Sequence, residues 1–186
     1  MWKPTVSDFV PRFFMVKLFL FPVLLAAGCS IAGVYEALHN QISYSVSPDY
    51  FHAFKFHQFG IAETLRGRIG ASIVGWYASW WMGLLVGVPL LLVGLILPGW
   101  KAYLSGCLAA FALVAATALV VGLGALIYAI LTISEASLPN YWYPDGVMDK
   151  VAFARAATMH NFSYLGGFLG IITGILYLIV VRVRLI

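Results

Sequence analysis

The amino-acid sequence predicts an all-α membrane protein, a four-transmembrane-helix bundle with a short β-hairpin-like first outer loop. Only 10% of the 186 residues are charged, whereas a soluble domain has about 25%. Hydrophobic residues make up 62% of the chain, and its mean hydropathy is +0.94. Because a surface so poor in charge cannot be covered by water alone, lipid must cover most of it. The length indicates one domain, residues 1–186.

Four apolar segments are long enough to cross a bilayer, which takes about 20 residues in a helix. They are predicted at about 13–35, 69–97, 102–133 and 156–181. A tight turn, 98–101, joins the second segment to the third, and Pro89 is expected to bend the second. Two longer connections, 36–68 and 134–155, are predicted to be loops on the opposite face, called the outer face here.

The small residues before Cys29 resemble a lipoprotein cleavage signal. The apolar run nevertheless continues past Cys29 to Tyr35, as it would in a retained helix. We therefore expect the first segment to remain part of the protein, with Cys29 and Cys107 as small core residues.

The first outer loop carries a strand pattern. Ile42, Tyr44 and Val46 alternate with polar residues, which is typical of a half-buried strand. Ser47-Pro48-Asp49 follows with turn chemistry, and an aromatic stretch from Tyr50 to Phe56 comes next. The pattern predicts a short hairpin over the outer mouth of the bundle.

The distribution of charge predicts the orientation. The termini and the tight turn carry six basic residues against one acid, Asp8; the basic residues are Lys3, Arg12, Lys17, Lys101, Arg182 and Arg184. The outer loops carry five basic residues (Lys55, Arg66, Arg68, Lys150, Arg155) and six acids (Glu36, Asp49, Glu63, Glu135, Asp145, Asp149). Since cytoplasmic loops are enriched in Lys and Arg, both termini are predicted to be cytoplasmic, with a bacterial inner membrane as the expected location.

Aromatic residues cluster at the predicted outer boundary, where Trp and Tyr prefer the headgroup level. In the second segment they are Trp76, Tyr77, Trp80 and Trp81, and in the second outer loop they are Tyr141, Trp142 and Tyr143. The outer face is therefore predicted to lie at the headgroups.

Six of the seven acids and all four histidines gather at the outer face. Several lie at helix ends, where their side chains can enter the mouth of the bundle. The candidate polar site comprises Glu36, His39, His57, Glu63, Arg66, Glu135, Arg155 and His160. Glu63 and Arg66 are three residues apart on a helix, which indicates an ordinary ion pair. Alternatively, Arg66, Arg68 and Arg155 form a basic pocket for a phosphate or carboxylate headgroup.

A metal site is a further hypothesis. Glu36-x-x-His39 places a carboxylate and an imidazole on one helix face, as in metal sites of bundles, and His52 and His57 could add ligands. A single such motif is a weak signal, since no second one occurs. Haem is less favoured, because no histidine lies mid-membrane. No motif identifies a catalytic residue or a cofactor.

Gly166, Gly170 and Gly174 recur every fourth residue along the fourth segment. Such a stripe lets another backbone approach closely. It predicts helix packing within the chain, or alternatively an interface with a partner.

Three functions remain open at this level. The first is a non-catalytic accessory or structural subunit of a membrane assembly. The alternative is a membrane enzyme or a lipid- or metal-binding protein with its site at the outer mouth, and the third is a channel-forming oligomer. The expected partners are membrane lipid and other membrane subunits or copies of the chain; no run of Lys and Arg suggests nucleic acid.

Overall fold

The structure is a computed structural model that describes residues 6–140 and 142–185, with side chains from residue 14 onward. Within these ranges the chain is helical and contains no strand, so the all-α prediction is confirmed. Three described helices are long and apolar enough to cross a membrane. The predicted number of four is reached only if a bent pair of shorter helices is counted as one span.

The long helices are α1 (Val6–Val46), α5 (Gly99–Thr132) and α6 (Lys150–Arg184). The bent pair is α3 (Arg68–Ser79) and α4 (Met82–Gly94). Shorter pieces connect them: a π-helix Tyr50–Lys55, a single turn α2 (Phe56–Gln58), and 3₁₀ turns at Glu63–Leu65 and Glu135–Ser137. The predictions for Lys3, Asp8, Arg12 and Tyr141 concern side chains outside the described ones.

The predicted hairpin is wrong. Helix α1 does not end near Tyr35 but continues to Val46, and the stretch that follows Pro48 is also helical. Ile42, Tyr44 and Val46 lie on this helix, with Ile42 exposed and Tyr44 and Val46 half-buried, so their alternation does not mark one buried face of a strand. The first outer connection is consequently shorter than predicted, and much of it is helix.

The second predicted span is not one continuous helix. The chain bends by 47° between α3 and α4, at Trp80–Trp81 rather than at Pro89. At the break, the amides of Gly83 and Leu84 donate to the carbonyls three residues earlier, a tightening that replaces the α-helical pattern. The third and fourth predicted segments agree with α5 and α6, although α6 begins earlier, at Lys150.

Close backbone contact between α5 and α6 explains the glycine stripe. A Cβ on Gly166 would lie 2.8 Å from the Ala118 Cα, and one on Gly170 would lie 2.9 Å from the Val114 Cα. A Cβ on Gly174 would meet the Leu90 side chain at 2.9 Å. The stripe therefore serves packing within the chain.

Lys17 links α1 to the residues that follow α4. Its side chain is buried, and Nζ donates to the Leu95 oxygen at 2.9 Å and to the Leu97 oxygen at 2.5 Å. These carbonyls follow the last turn of α4, where helix carbonyls lack helical partners and attract a cation. The pairing fixes α1 against the end of α4.

Candidate metal centre

A carboxylate and two imidazoles meet between α1 and α6. Glu36 and His39 are one turn apart on α1, and His160 approaches from α6. The Glu36 Oε1 atom lies 3.1 Å from His160 Nδ1 and 3.5 Å from His39 Nδ1. All three residues are buried, with exposed fractions of 3%, 2% and 4% in chain order. We call Glu36, His39 and His160 the triad; one ligand atom from each lies within 4.8 Å of the others.

Glycines allow the helices to approach at this level. A Cβ on Gly75 of α3 would lie 2.5 Å from the Glu36 carbonyl oxygen, so only glycine lets α3 pack against α1 here. A Cβ on Gly122 of α5 would lie 3.4 Å from His39 Nε2. Helix α3 therefore packs on the α1 backbone at Glu36, and α5 packs against the His39 ring.

His160 is oriented by its second nitrogen. Its Nε2 atom lies 3.1 Å from the Ser43 hydroxyl, which is buried on α1. At 3.1 Å, Nδ1–H of His160 can donate to the Glu36 carboxylate. If Nε2 instead carries the proton and donates it to Ser43, the lone pair of Nδ1 becomes available to an ion held between Nδ1 and Glu36. Such a hydrogen bond fixes the tautomer and the direction of a histidine.

His39 is the unusual member of the triad. Among the described residues, neither of its buried ring nitrogens has a hydrogen-bond partner. The 3.5 Å separation from Glu36 is close enough for charge interaction, but it is longer than an ordinary hydrogen bond. A buried polar group without a partner costs about 1–3 kcal/mol, and a binding site for an ion is among the recognised reasons for one.

An aromatic cover closes the triad on its outer side. The Tyr50 ring stacks on the His160 ring with 5.0 Å between centroids and 20° between planes, and Tyr50 and Phe51 are buried in the π-helix. Burial raises the pKa of the Tyr50 hydroxyl well above its ordinary value, so the cover is neutral at Tyr50. The Lys55 ammonium lies 4.5 Å above the Phe54 ring, and burial lowers its pKa.

An apolar cavity of about 80 Å³ begins beside the triad. Glu36 is the one triad member that lines it, together with the neighbouring Tyr35 and Ser163. The Tyr35 hydroxyl and the Ser163 hydroxyl are 2.8 Å apart. The remaining wall is mostly aliphatic or glycine, from α1, α4, α5 and α6.

The other residues of the predicted polar site lie apart from the triad. Glu63 and Arg66 face each other at 4.0 Å, with the Glu63 side chain 89% exposed. Arg155 donates to the Ile130 and Ile133 oxygens at the end of α5, which is a helix-capping role.

Exposed surface holds the other candidates. Glu135 and His57 are exposed, and His52 is exposed and lies 3.0 Å from the Tyr44 hydroxyl. Of the four predicted metal ligands, the structure therefore brings together Glu36 and His39 but neither His52 nor His57.

Sequence reasoning missed the third ligand and the supporting residues. The sequence places His160 in the broad polar surface but not beside Glu36 and His39, and no motif includes Ser43 or Tyr50 in a site. Ser43 follows His39 by four residues, so the face Glu36, His39, Ser43 is a regular helical stripe. That periodicity, rather than a strand, was the available signal.

No protein family, curated protein or solved structure matches this chain. A function must therefore be inferred from the geometry of the site alone.

Proposed function

We propose that this protein is an integral membrane protein that binds a divalent transition-metal ion through Glu36, His39 and His160. The observation that carries the proposal is the buried triad, in which His39 has no hydrogen-bond partner among the described residues. An ion at the centre would give all three residues a common partner. It would also balance the Glu36 charge in a place where little water can solvate it.

The donor set suits such an ion. Two imidazoles and one carboxylate form catalytic zinc sites and also bind non-haem iron(II). Metal–ligand distances of about 2.0–2.1 Å in a tetrahedral site imply ligand atoms about 3.4 Å apart. The separations of 3.1 and 3.5 Å bracket that value. Three protein ligands leave a position open, which is typical of catalytic rather than structural sites.

The support around the ligands has the expected form. Metal-bound histidines usually donate their second ring N–H to a polar partner, which fixes the ring and strengthens the ligand. Ser43 is such a partner for His160. The aromatic cover over His160 limits the access of water, which strengthens electrostatic interactions at the site.

The spacing of polar residues along α1 and α6 supports the proposed position of the membrane. The rise of a helix puts Lys17 and Glu36 of α1 about 28 Å apart, and His160 and Arg182 of α6 about 33 Å apart. The hydrocarbon core is about 30 Å thick, so these residues mark its two boundaries. In this arrangement α3 and α4 together form a fourth span, and the triad lies at the outer edge of the core.

The orientation follows the same charges. The inner boundary carries Lys17, Lys101, Arg182 and Arg184, so both termini are cytoplasmic by the enrichment of Lys and Arg on that side. The triad then faces the outer side of the membrane, which is the periplasmic side if the chain resides in a bacterial inner membrane.

The test is metal binding to the purified, chelator-treated protein in lipid nanodiscs. Co²⁺ is the probe, since it replaces zinc and its visible absorption reports the ligands. We expect one Co²⁺ per chain, with an affinity more than about 100-fold lower in His39→Ala and in Glu36→Gln, because the loss of a ligand exceeds the loss of an outer partner. His57→Ala, an exposed histidine outside the triad, is the matched control.

Binding that is absent in the wild-type protein would contradict the proposal. Equal binding by the wild-type protein and His39→Ala would contradict it too. His39→Ala is the more informative variant, because no described protein group loses a hydrogen bond when the ring is removed. Unchanged thermal unfolding of that variant without metal verifies that the fold is retained.

The role of an accessory subunit, with other membrane proteins or copies of the chain as partners, stays a prediction. The same holds for a channel-forming oligomer. Neither is favoured by a specific feature of the described residues.

A further inference from the structure

We infer that the cavity beside Glu36 binds the apolar chain of a bilayer molecule whose oxygen-bearing head reaches the metal. This inference rests on the proposed function, because it assigns a ligand class to the open position of the same site. The ligand class is a single-chain amphiphile with a carboxylate, hydroxyl or similar oxygen group at one end.

The position of the cavity supports this assignment. On α1 its wall follows one helical face, Gly28, Ile31, Ala32, Tyr35 and Glu36. That face is about 12 Å long and runs from the triad toward the middle of the proposed hydrocarbon core. On α6 the wall begins at Ser163, one turn beyond His160. The cavity is therefore a continuation of the metal site into the bilayer.

The chemistry of the wall favours a chain over water or an ion. Polar side chains are a minority on the wall: Tyr35, Glu36 and Ser163 lie at the triad end, and Ser79 and Tyr164 add two hydroxyl groups. Further along, the wall is formed by small and aliphatic residues such as Gly83, Val86 and Val114. Cavities with such walls stay dry and accept apolar ligands. With one polar end, the cavity matches an amphiphile better than a small apolar gas. A volume of about 80 Å³ encloses only the part of the chain next to the head, and the rest of the chain would extend through the side of the bundle into the bilayer.

Access from the side is also present. Tyr164 lines the cavity and is 38% exposed on the outside of the bundle. A Cβ on Gly167, which lines the same wall, would meet no atom within 4 Å. A chain already dissolved in the bilayer could therefore enter between α6 and its neighbours without passing through water.

The experiment compares two hydroxamates on the Co²⁺-loaded protein in nanodiscs of one lipid composition. Acetohydroxamate offers the metal-binding head alone, and decanohydroxamate adds an apolar chain. Two variants fill the cavity from opposite walls, Gly167→Phe from α6 and Ala115→Phe from α5. The matched controls are Gly124→Phe, where a Cβ also meets open space but outside the cavity, and Ala116→Phe, which is exposed beside Ala115.

We expect both cavity variants to weaken decanohydroxamate at least tenfold while acetohydroxamate changes less than twofold. Neither control should change either ligand. Because every variant is measured in the same bilayer, partitioning of the chain into lipid is the same throughout. Retained Co²⁺ and acetohydroxamate binding shows that the cavity variants are folded.

Two results overturn the inference, and they are distinguishable. If Co²⁺ binds but decanohydroxamate is unaffected by both cavity variants, or changes in parallel with acetohydroxamate, the cavity holds no chain and the metal proposal stands. If the wild-type protein binds no Co²⁺, the proposed function fails and this inference fails with it.

Discussion

The contact between α4 and α1 at Gly83 gives the sharpest prediction about the fold. A Cβ added there would lie 2.3 Å from the Cys29 Cα and 2.4 Å from the Cys29 nitrogen. Both are backbone atoms, so neither can rotate away. Ordinary contact requires a separation about 1 Å larger, and α4 would have to retreat from α1 by that amount. We therefore expect Gly83→Ala to destabilise the protein.

The magnitude follows from two opposing effects. Overpacking of a well-packed contact costs about 1–3 kcal/mol, and the clash with backbone places Gly83→Ala near the upper end. The higher helix propensity of alanine stabilises the folded state by about 1 kcal/mol. The net expected loss is about 2 kcal/mol. Gly124→Ala is the matched control: its Cβ meets nothing within 4 Å, so it should gain up to about 1 kcal/mol.

The assay is reversible unfolding in mixed micelles, with the free energy of unfolding measured for both variants and the wild-type protein. The two glycine variants should differ by about 3 kcal/mol. If Gly83→Ala were as stable as Gly124→Ala, α4 would not contact α1 in the described way, and the fourth span would lose its main packing argument.

Three other outcomes can be measured with the same material. Lys17→Met should lower the free energy of unfolding by about 1.5–3 kcal/mol, since it removes a charged donor to two carbonyls beyond α4; unchanged stability would show that the ammonium contributes nothing. Ser43→Ala should weaken Co²⁺ binding about 10–100-fold, because it removes the hydrogen bond that orients the His160 ring. Ser45→Ala, at an exposed position, should leave binding unchanged. Equal effects of the two variants would show that Ser43 does not orient His160. Acidification should release Co²⁺, because the ligands must be deprotonated to bind a metal and protons compete with the ion for them; a constant affinity from pH 8 to 5 would indicate other ligands.

The long helices could be predicted because their signal is simple. Apolar runs such as 102–133 exceed the thickness of a bilayer, and no alternative structure satisfies their backbone in lipid. The ends of α1 were harder to predict, since Glu36 and His39 look like the start of a polar loop. Only the contact with α3 through Gly75 shows that this polar stretch is buried, and a sequence without its neighbours does not reveal that contact.

The bend between α3 and α4 was hidden for a different reason. Pro89 is the expected place for a kink, yet the break occurs at Trp80–Trp81. It lies next to Gly83, where the backbone of α4 touches α1. The break therefore coincides with a tertiary contact at glycine and not with the local helix breaker Pro89.

The candidate site was half visible in the sequence. Glu36 and His39 are three residues apart, so a helix places both on one face of α1. His160 is more than a hundred residues away, and only the packing of α6 on α1 and α5 brings it to Glu36. His52 and His57 are nearer in sequence but face outward, so proximity along the chain was a poor guide to the ligand set.

X-ray absorption spectroscopy of the Co²⁺-loaded protein tests the metal site most directly. The proposal predicts nitrogen and oxygen ligands at about 2.0–2.1 Å, with the outer-shell scattering of two imidazoles in the wild-type protein and of one in His39→Ala. Oxygen ligands without imidazole scattering would contradict the assignment of Glu36, His39 and His160. So would a spectrum with two imidazoles that persist in His39→Ala.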